Sequence, residues 1–293
     1  MYKVLIINLL LLSAIPAMAQ DDGGSGNEGP NELQLFDQDE ERTELGWSRF
    51  YVAVGAAYQD ADGGFKVNLP NGESVDIINF DRVGLKETDS TYWLSLNYRS
   101  IDSRWGAWFG SWRYDVTGDR QWEDELVIPG KEPIPTGADV TSTFDAKWYI
   151  LEATYSFFRS ETIDTGIGFG LHTVDLRTTV TARVELADDS TEVVSEKLDT
   201  LAPLPNVLVY VHWKFAPRWS LVSRIGWFGL DYKDHSGEMT NAHAMVHYEM
   251  SPRWSLGGGY QFVSLDLKTQ EKNYVKDYNI DFSGPMAWVR FNF

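Results

Sequence analysis

Polar and apolar residues alternate with a period of two along most of this chain. In the cleanest run, residues 90–99, Tyr92, Leu94, Leu96 and Tyr98 share one parity. Thr91, Trp93, Ser95, Asn97 and Arg99 take the other. Residues 147–157 repeat the design, with Tyr149, Leu151, Ala153, Tyr155 and Phe157 opposed to Glu152, Thr154 and Ser156. Residues 242–250 do so again, with Ala242, Ala244, Val246, Tyr248 and Met250 against His243, Met245, His247 and Glu249. Strict alternation marks a strand whose two faces meet different surroundings. The pattern predicts ten strands, near 49–59, 90–101, 105–117, 144–158, 162–180, 203–215, 218–233, 239–250, 254–267 and 278–293. An eight-strand alternative requires reading one good hairpin as a loop.

Two strands break the rule. In 218–233, Val222, Phe228, Leu230 and Tyr232 share parity with Arg224. In 254–267, Leu256, Gly258, Tyr260 and Phe262 give way to Val263, Leu265 and Leu267 on the opposite parity. Either a β-bulge switches faces at such points, or the strands rise above a membrane. Gly166, Gly168 and Gly170, and the run Gly257 to Gly259, fit close approach or curvature.

The connections alternate in length. Asp102-Ser-Arg-Trp-Gly106, Ala216-Pro-Arg-Trp-Ser-Leu221 and Ser251-Pro-Arg-Trp-Ser-Leu256 each join two alternating runs by a tight turn, and Ser160-Glu-Thr-Ile163 occupies the fourth such place without the Trp. Longer polar connections lie at about 60–89, 118–143, 185–202, 234–238 and 268–277. Past residue 19 no apolar stretch is long enough for a spanning helix. Ten-residue segments with aromatics bracketing aliphatics are instead the signature of a transmembrane barrel, with short periplasmic turns and long outer loops. A charge opposite a wholly apolar face must then point into a polar lumen, because lipid cannot solvate it.

Composition narrows the class. The chain has 293 residues, 43 acidic against 25 basic, a net charge of -18 and no cysteine. The acidic balance argues against nucleic acid, whose phosphates need a basic face. The absence of Cys excludes disulfides, thiolate metal sites and a Cys nucleophile. Residues 1–19 form a secretory signal: Lys3, an apolar run over 4–12, and Ala17-Met18-Ala19 with cleavage after Ala19. Residues 20–46 are Gly- and acid-rich and are expected to be a disordered periplasmic tail. The barrel domain is expected over 47–293.

The last strand carries the most specific signal. Ala287, Val289, Phe291 and Phe293 alternate with Trp288, Arg290 and Asn292. The segment resembles the final strand of bacterial outer-membrane β-barrels, and the chain resembles the small OmpA-like and porin-like members of that superfamily over about 49–293. The resemblance implies an all-β, membrane-spanning, antiparallel up-and-down barrel in the outer membrane. It also implies that Phe291 and Phe293 are read by the barrel-assembly machinery, and that outer-membrane lipids and lipopolysaccharide are partners. It does not imply a wall-anchoring domain.

Several residues are candidates for chemistry. His172, His212, His243 and His247 fall on strands with lumen parity, and Arg113, Glu152, Lys214, Arg224 and Glu249 share that parity. The group Arg113, Glu152, His172, His212, Arg224, His243 and His247 reads either as a metal or acid–base site or as a charge-paired lining of a narrow lumen; the lining is favoured. Ten-stranded surface proteases place Asp and His at the outer rim. Here Asp175, Asp231, Asp234 and His235 are available but form no paired-Asp and His-Asp motif. Lipid A deacylases use a His and Ser two apart, and His172-Thr173-Val174 lacks the Ser. Asp60-Ala-Asp62-Gly-Gly lacks the continuation of a calcium loop. No cofactor and no metal site are expected. A non-enzymatic barrel, with a narrow or plugged pore, is the reading; an outer-membrane hydrolase and a soluble secreted β-protein are the alternatives. Bulky Trp93, Trp148 and Trp288 inside predict little or no conductance.

Overall fold

A computed structural model describes residues 49–68, 74–79, 85, 88–100, 103–121, 136–185, 191–232, 235–270 and 274–293. The expected signal peptide, Ala19 and the acidic segment 20–46 lie outside these residues.

The described residues form one antiparallel sheet of eleven strands, ten of which close into a ring. The strands are β1 (Phe50–Asn68), β2 (Ser74–Asn79), β3 (Thr88–Arg99), β4 (Trp105–Gln121), β5 (Asp139–Arg159), β6 (Ile163–Glu185), β7 (Thr191–Ala216), β8 (Trp219–Tyr232), β9 (His235–Glu249), β10 (Trp254–Gln270) and β11 (Val275–Asn292). Each ring strand pairs with its sequence neighbours, and β11 closes the ring on β1 from Tyr51↔Asn292 to Asn68↔Val275. Closure leaves no free edge, which is what a sheet in lipid requires. The short β2 pairs only with residues 64–68 at the top of β1. All ten expected strands are present, so the eight-strand alternative falls.

The strands are longer than the alternation suggested. The stretch 185–202, expected as a loop, is largely strand, because β7 begins at Thr191 and pairs with β6 from Glu185 downward. The run Thr178-Thr-Val-Thr181 supplies β-branched residues that favour extended backbone without being apolar enough for lipid. The hairpin therefore continues beyond the apolar band.

No bulge interrupts β8 or β10 against β9. The parity break in β10 has the other cause: the strand keeps its faces while its surroundings change. Val263, Leu265 and Leu267 face inward and are buried, above Gln261 and Ser255 on the same face. Val222 and Phe228 likewise lie inside with Arg224.

The barrel thus has two halves of opposite polarity. Near the short turns, the outside carries Leu151, Ile167, Phe169, Val207, Val209 and Val289, all exposed. Tyr98, Trp105, Trp219 and Trp254 bound this band below, and Tyr92, Tyr149, Trp227 and Tyr260 bound it above. Eight residues from Trp219 to Trp227, at about 3.3 Å each and tilted about 40°, give roughly 20 Å of height, close to a lipid-facing band. Above the upper girdle the outside turns polar and the inside becomes an apolar core of Phe65, Tyr114, Phe144, Leu176, Met239, Ile280 and Phe282. That upper half is built like a water-soluble barrel.

Candidate functional site

The lumen within the apolar band is lined by polar side chains, arranged in three groups. Nearest the short turns, the fully buried Asp164 is held by Arg99, by Arg159 at 3.5 Å and by the Tyr210 hydroxyl at 3.3 Å. Tyr210 in turn meets Ser156 at 2.7 Å, and Arg99 meets His212 Nδ1 at 3.3 Å. These residues come from β3, β5, β6 and β7, so the cluster ties four strands across the interior.

Midway up, Arg224 donates to Glu152 at 2.9 Å. His172 Nε2 lies 3.5 Å from the other Glu152 oxygen, and Asn241 contacts the same ring nitrogen at 3.3 Å. The Arg224 guanidinium sits 4.9 Å from the Trp108 ring centroid, a cation–π contact. On the opposite wall Arg290 donates to Ser255 at 3.0 Å and lies over Tyr51 at 5.0 Å. Gln261 donates to Gln59 at 2.8 Å, bridging β10 and β1.

An aromatic layer caps these groups. Trp112 and Trp148 stack at 5.1 Å, 8° from parallel, and Phe282 meets both edge-on at 5.5 and 6.1 Å. Tyr114 meets Phe282 at 5.4 Å, and Trp93 meets Trp288 at 5.2 Å. Inward-facing glycines make the room: a side chain at Gly110 would strike the Trp108 indole, and one at Gly257 the Trp288 indole. Between the cap and the middle group lies a cavity of about 30 Å³, bordered by Trp108, Trp112, Trp148, Glu152, His172, Asn241, His243 and Gln261. That volume holds about two waters. His172 Nδ1 and His243 Nε2 are buried there without a hydrogen-bond partner among the described residues. The cavity is too small for an organic solute.

The sequence candidates separate accordingly. Glu152, His172 and Arg224 come together, and His243 borders the same cavity against Trp108 at 6.3 Å. His212 belongs to the Asp164 group, while His247 packs on Trp288 at 5.2 Å on the far wall. Arg113 is a correction. It shares parity with the exposed side of β4, is 37 % exposed, and pairs with Asp145 at 2.7 Å outside the barrel. Its strand at that height has risen past the upper girdle, where charge belongs outside. Burial alone would raise the Asp145 carboxyl, but hydrogen bonds from Arg113 and Lys147 outweigh it and hold it below its ordinary value.

Arg99, Asp164, Tyr210 and Arg290 were not among the singled-out candidates. Arg99, Tyr210 and Arg290 follow or separate apolar strand neighbours on the opposite parity, which is the signal that would have found them, whereas Asp164 lies between Ile163 and Thr165 and gives a weaker one. Among the rim residues weighed for proteolysis, Asp175 faces outward and pairs with Arg177 at 2.8 Å, and Asp231 is exposed on the outer face. Asp234 lies outside the described residues. Asp62 accepts from the Gly63 amide at 2.7 Å. Among the described residues no group of His, Asp and Glu is arranged to hold a metal ion.

No protein-family model matches the chain, and no curated protein matches it. Solved structures match its fold. The outer membrane protease OmpT from Escherichia coli is similar with a TM-score of 0.52 at 9% identity, over 83% of this chain and 97% of that one. The translocator domain of the autotransporter NalP from Neisseria meningitidis gives 0.40 at 14% identity, over 83% and 88%. The Pseudomonas putida toluene transporter TodX gives 0.33 at 11%, over 83% and 89%. Identities this low show the fold alone. The fold and the two-sided polarity of its wall define a closed, ten-stranded antiparallel β-barrel, the architecture of the outer membrane protease it matches.

Proposed function

We propose that this protein is a closed, non-enzymatic outer-membrane barrel, one that conducts little or nothing and presents its upper half at the cell surface. The filled lumen carries the reading: the Trp112–Trp148–Phe282 layer sits across it, above the Glu152–Arg224 pair, and the cavity between them is about 30 Å³. Asp164, Arg99 and Arg159 fill the interior again below. In this reading the short turns face the periplasm, following the usual topology of such barrels, and residues 1–19 direct export. Phe291 and Phe293, on the outer face of β11, serve as the assembly signal. The outer-leaflet partner is lipopolysaccharide, whose phosphates would lie level with the outward Arg113, Lys147 and Arg177. The outward orientation of Asp175 and Asp231 supports the non-enzymatic reading over a proteolytic one.

Single-channel recording of the refolded protein in a planar bilayer tests the proposal, with a heat-dependent gel shift as the control for a formed barrel. The expected result is no discrete conductance in the wild type. Trp112→Ala with Trp148→Ala is expected to loosen the cap and introduce small, brief steps. Sustained steps in a folded wild-type barrel would overturn the closed-lumen reading.

A further inference from the structure

The short-turn rim is built by one construction used four times. Arg104, Arg218 and Arg253 each immediately precede an outward-facing Trp that opens a strand, and Arg49 precedes Phe50 in the same way. In all four the Arg carbonyl accepts the amide of an adjoining strand's end: Arg99 onto Arg49 at 2.8 Å, Ser156 onto Arg104 at 2.8 Å, Glu249 onto Arg218 at 2.9 Å and Asn292 onto Arg253 at 2.8 Å. The aromatic beside each Arg is braced by a ring on the next strand, as Trp105 on Tyr155 at 5.2 Å, Trp219 on Tyr248 at 4.8 Å and Trp254 on Phe291 at 4.9 Å. The fifth position breaks the pattern. There Thr162 supplies the equivalent carbonyl, to Lys214 at 2.7 Å, and Ile163 opens the strand.

Backbone fixation places Arg104, Arg218 and Arg253 at the lower edge of the lipid-facing band, exposed. Among the described residues no acidic side chain lies within ion-pair distance of these three. Arg104 donates to the Phe157 carbonyl at 2.8 Å; the chain as a whole carries -18, so Arg104, Arg218 and Arg253 standing without acidic partners at one end are not a by-product of composition. A guanidinium next to an interfacial indole matches a phosphate on a glycerol backbone: the fork binds two phosphate oxygens, and the ring lies among the acyl-chain carbonyls. The fifth position adds an open groove of about 990 Å³ bordered by Lys214, Phe215 and Pro217, with Glu161 as its acid.

We infer that this rim is a collar that binds phosphate headgroups and selects anionic phospholipids over zwitterionic ones. The inference rests on the outer-membrane reading only for which leaflet is involved; headgroup selection itself is independent of that.

The test is native mass spectrometry of the full refolded protein, released from mixed micelles containing equal phosphatidylglycerol and phosphatidylethanolamine. Preferential retention of phosphatidylglycerol is expected, lost in high salt. Each Arg near an anionic surface contributes about a fivefold preference, so Arg218→Gln with Arg253→Gln is expected to cut the preference by roughly 25-fold. Lys268→Gln, an exposed cation at the other end of β10 paired with Asp277, is expected to leave it unchanged. Glu161→Gln is expected to raise retention. Equal retention of the two lipids by the wild type, or an unchanged preference in the double variant, would overturn the collar. If the double variant fails the gel-shift control, the single variants and the salt dependence of the wild type decide. Failure here with a closed channel would leave the proposed function standing, and the reverse outcome would leave the collar standing.

Discussion

Replacing Glu152 by Gln keeps the shape of the side chain and removes its charge. The carboxylate sits 2.9 Å from Arg224 and both groups are buried. At that distance unit charges attract by about 6 kcal/mol at an effective dielectric of 20, and the desolvation of both ions offsets much of it. The variant leaves the guanidinium buried with the face of Trp108 at 4.9 Å, which contributes about 2 kcal/mol when desolvated. Losing one member of a buried pair costs about 3–5 kcal/mol. With a urea slope of about 2–3 kcal/mol/M, that lowers the unfolding midpoint by roughly 1–2.5 M. The assay is urea unfolding of protein refolded into lipid vesicles, followed by tryptophan fluorescence. Glu152→Leu combined with Arg224→Met removes both charges and is expected to recover most of the loss. A Glu152→Gln unfolding free energy within about 0.5 kcal/mol of wild type would refute the reasoning, since it would mean that water reaches the pair and the lumen is open.

Two further outcomes test the reversal of polarity along the wall. Val209→Lys, on the exposed apolar band, is expected to cost about 2–4 kcal/mol in vesicles, while Thr143→Lys, outward on β5 above the girdle, is expected to change stability by less than about 0.5 kcal/mol; equal costs would sink the two-halves description. Asp145 titrates below its ordinary value in the fold, so its contribution is fully present above the ordinary carboxylate range and is lost as pH falls through the lowered value. Wild type is therefore expected to lose more stability than Asp145→Asn between about pH 5 and pH 2. Parallel acid titrations of the two proteins would show the reasoning wrong.

The strands and short turns were legible because each depends on neighbours in sequence. Tyr92 to Tyr98 and Tyr149 to Phe157 set an aromatic-bracketed apolar face apart from a polar one, and the Pro-Arg-Trp turns marked the hairpins. The polar groups inside were legible only in part. Glu152, Arg224 and His172 share lumen parity on three strands, but their meeting depends on register around a closed ring, which no local pattern encodes. Asp164 and Arg99 lie 65 positions apart in the chain, by their numbering, and meet because β3 and β6 face each other across the lumen.

Alternation tells that a strand has two faces; it does not tell which face is inside. The sequence by itself determined that this chain is an all-β barrel, with strands joined by alternating short and long connections, because extended backbone projects side chains to opposite sides at every step. What only the tertiary structure decided is where along each strand lipid ends and water begins. Arg113 on β4 and Leu265 on β10 both look misplaced until the height of the girdle is known. Below the girdle lipid demands an apolar outside and leaves the charges to one another in the lumen. Above it water takes the charges, and the same inward parity becomes a hydrophobic core.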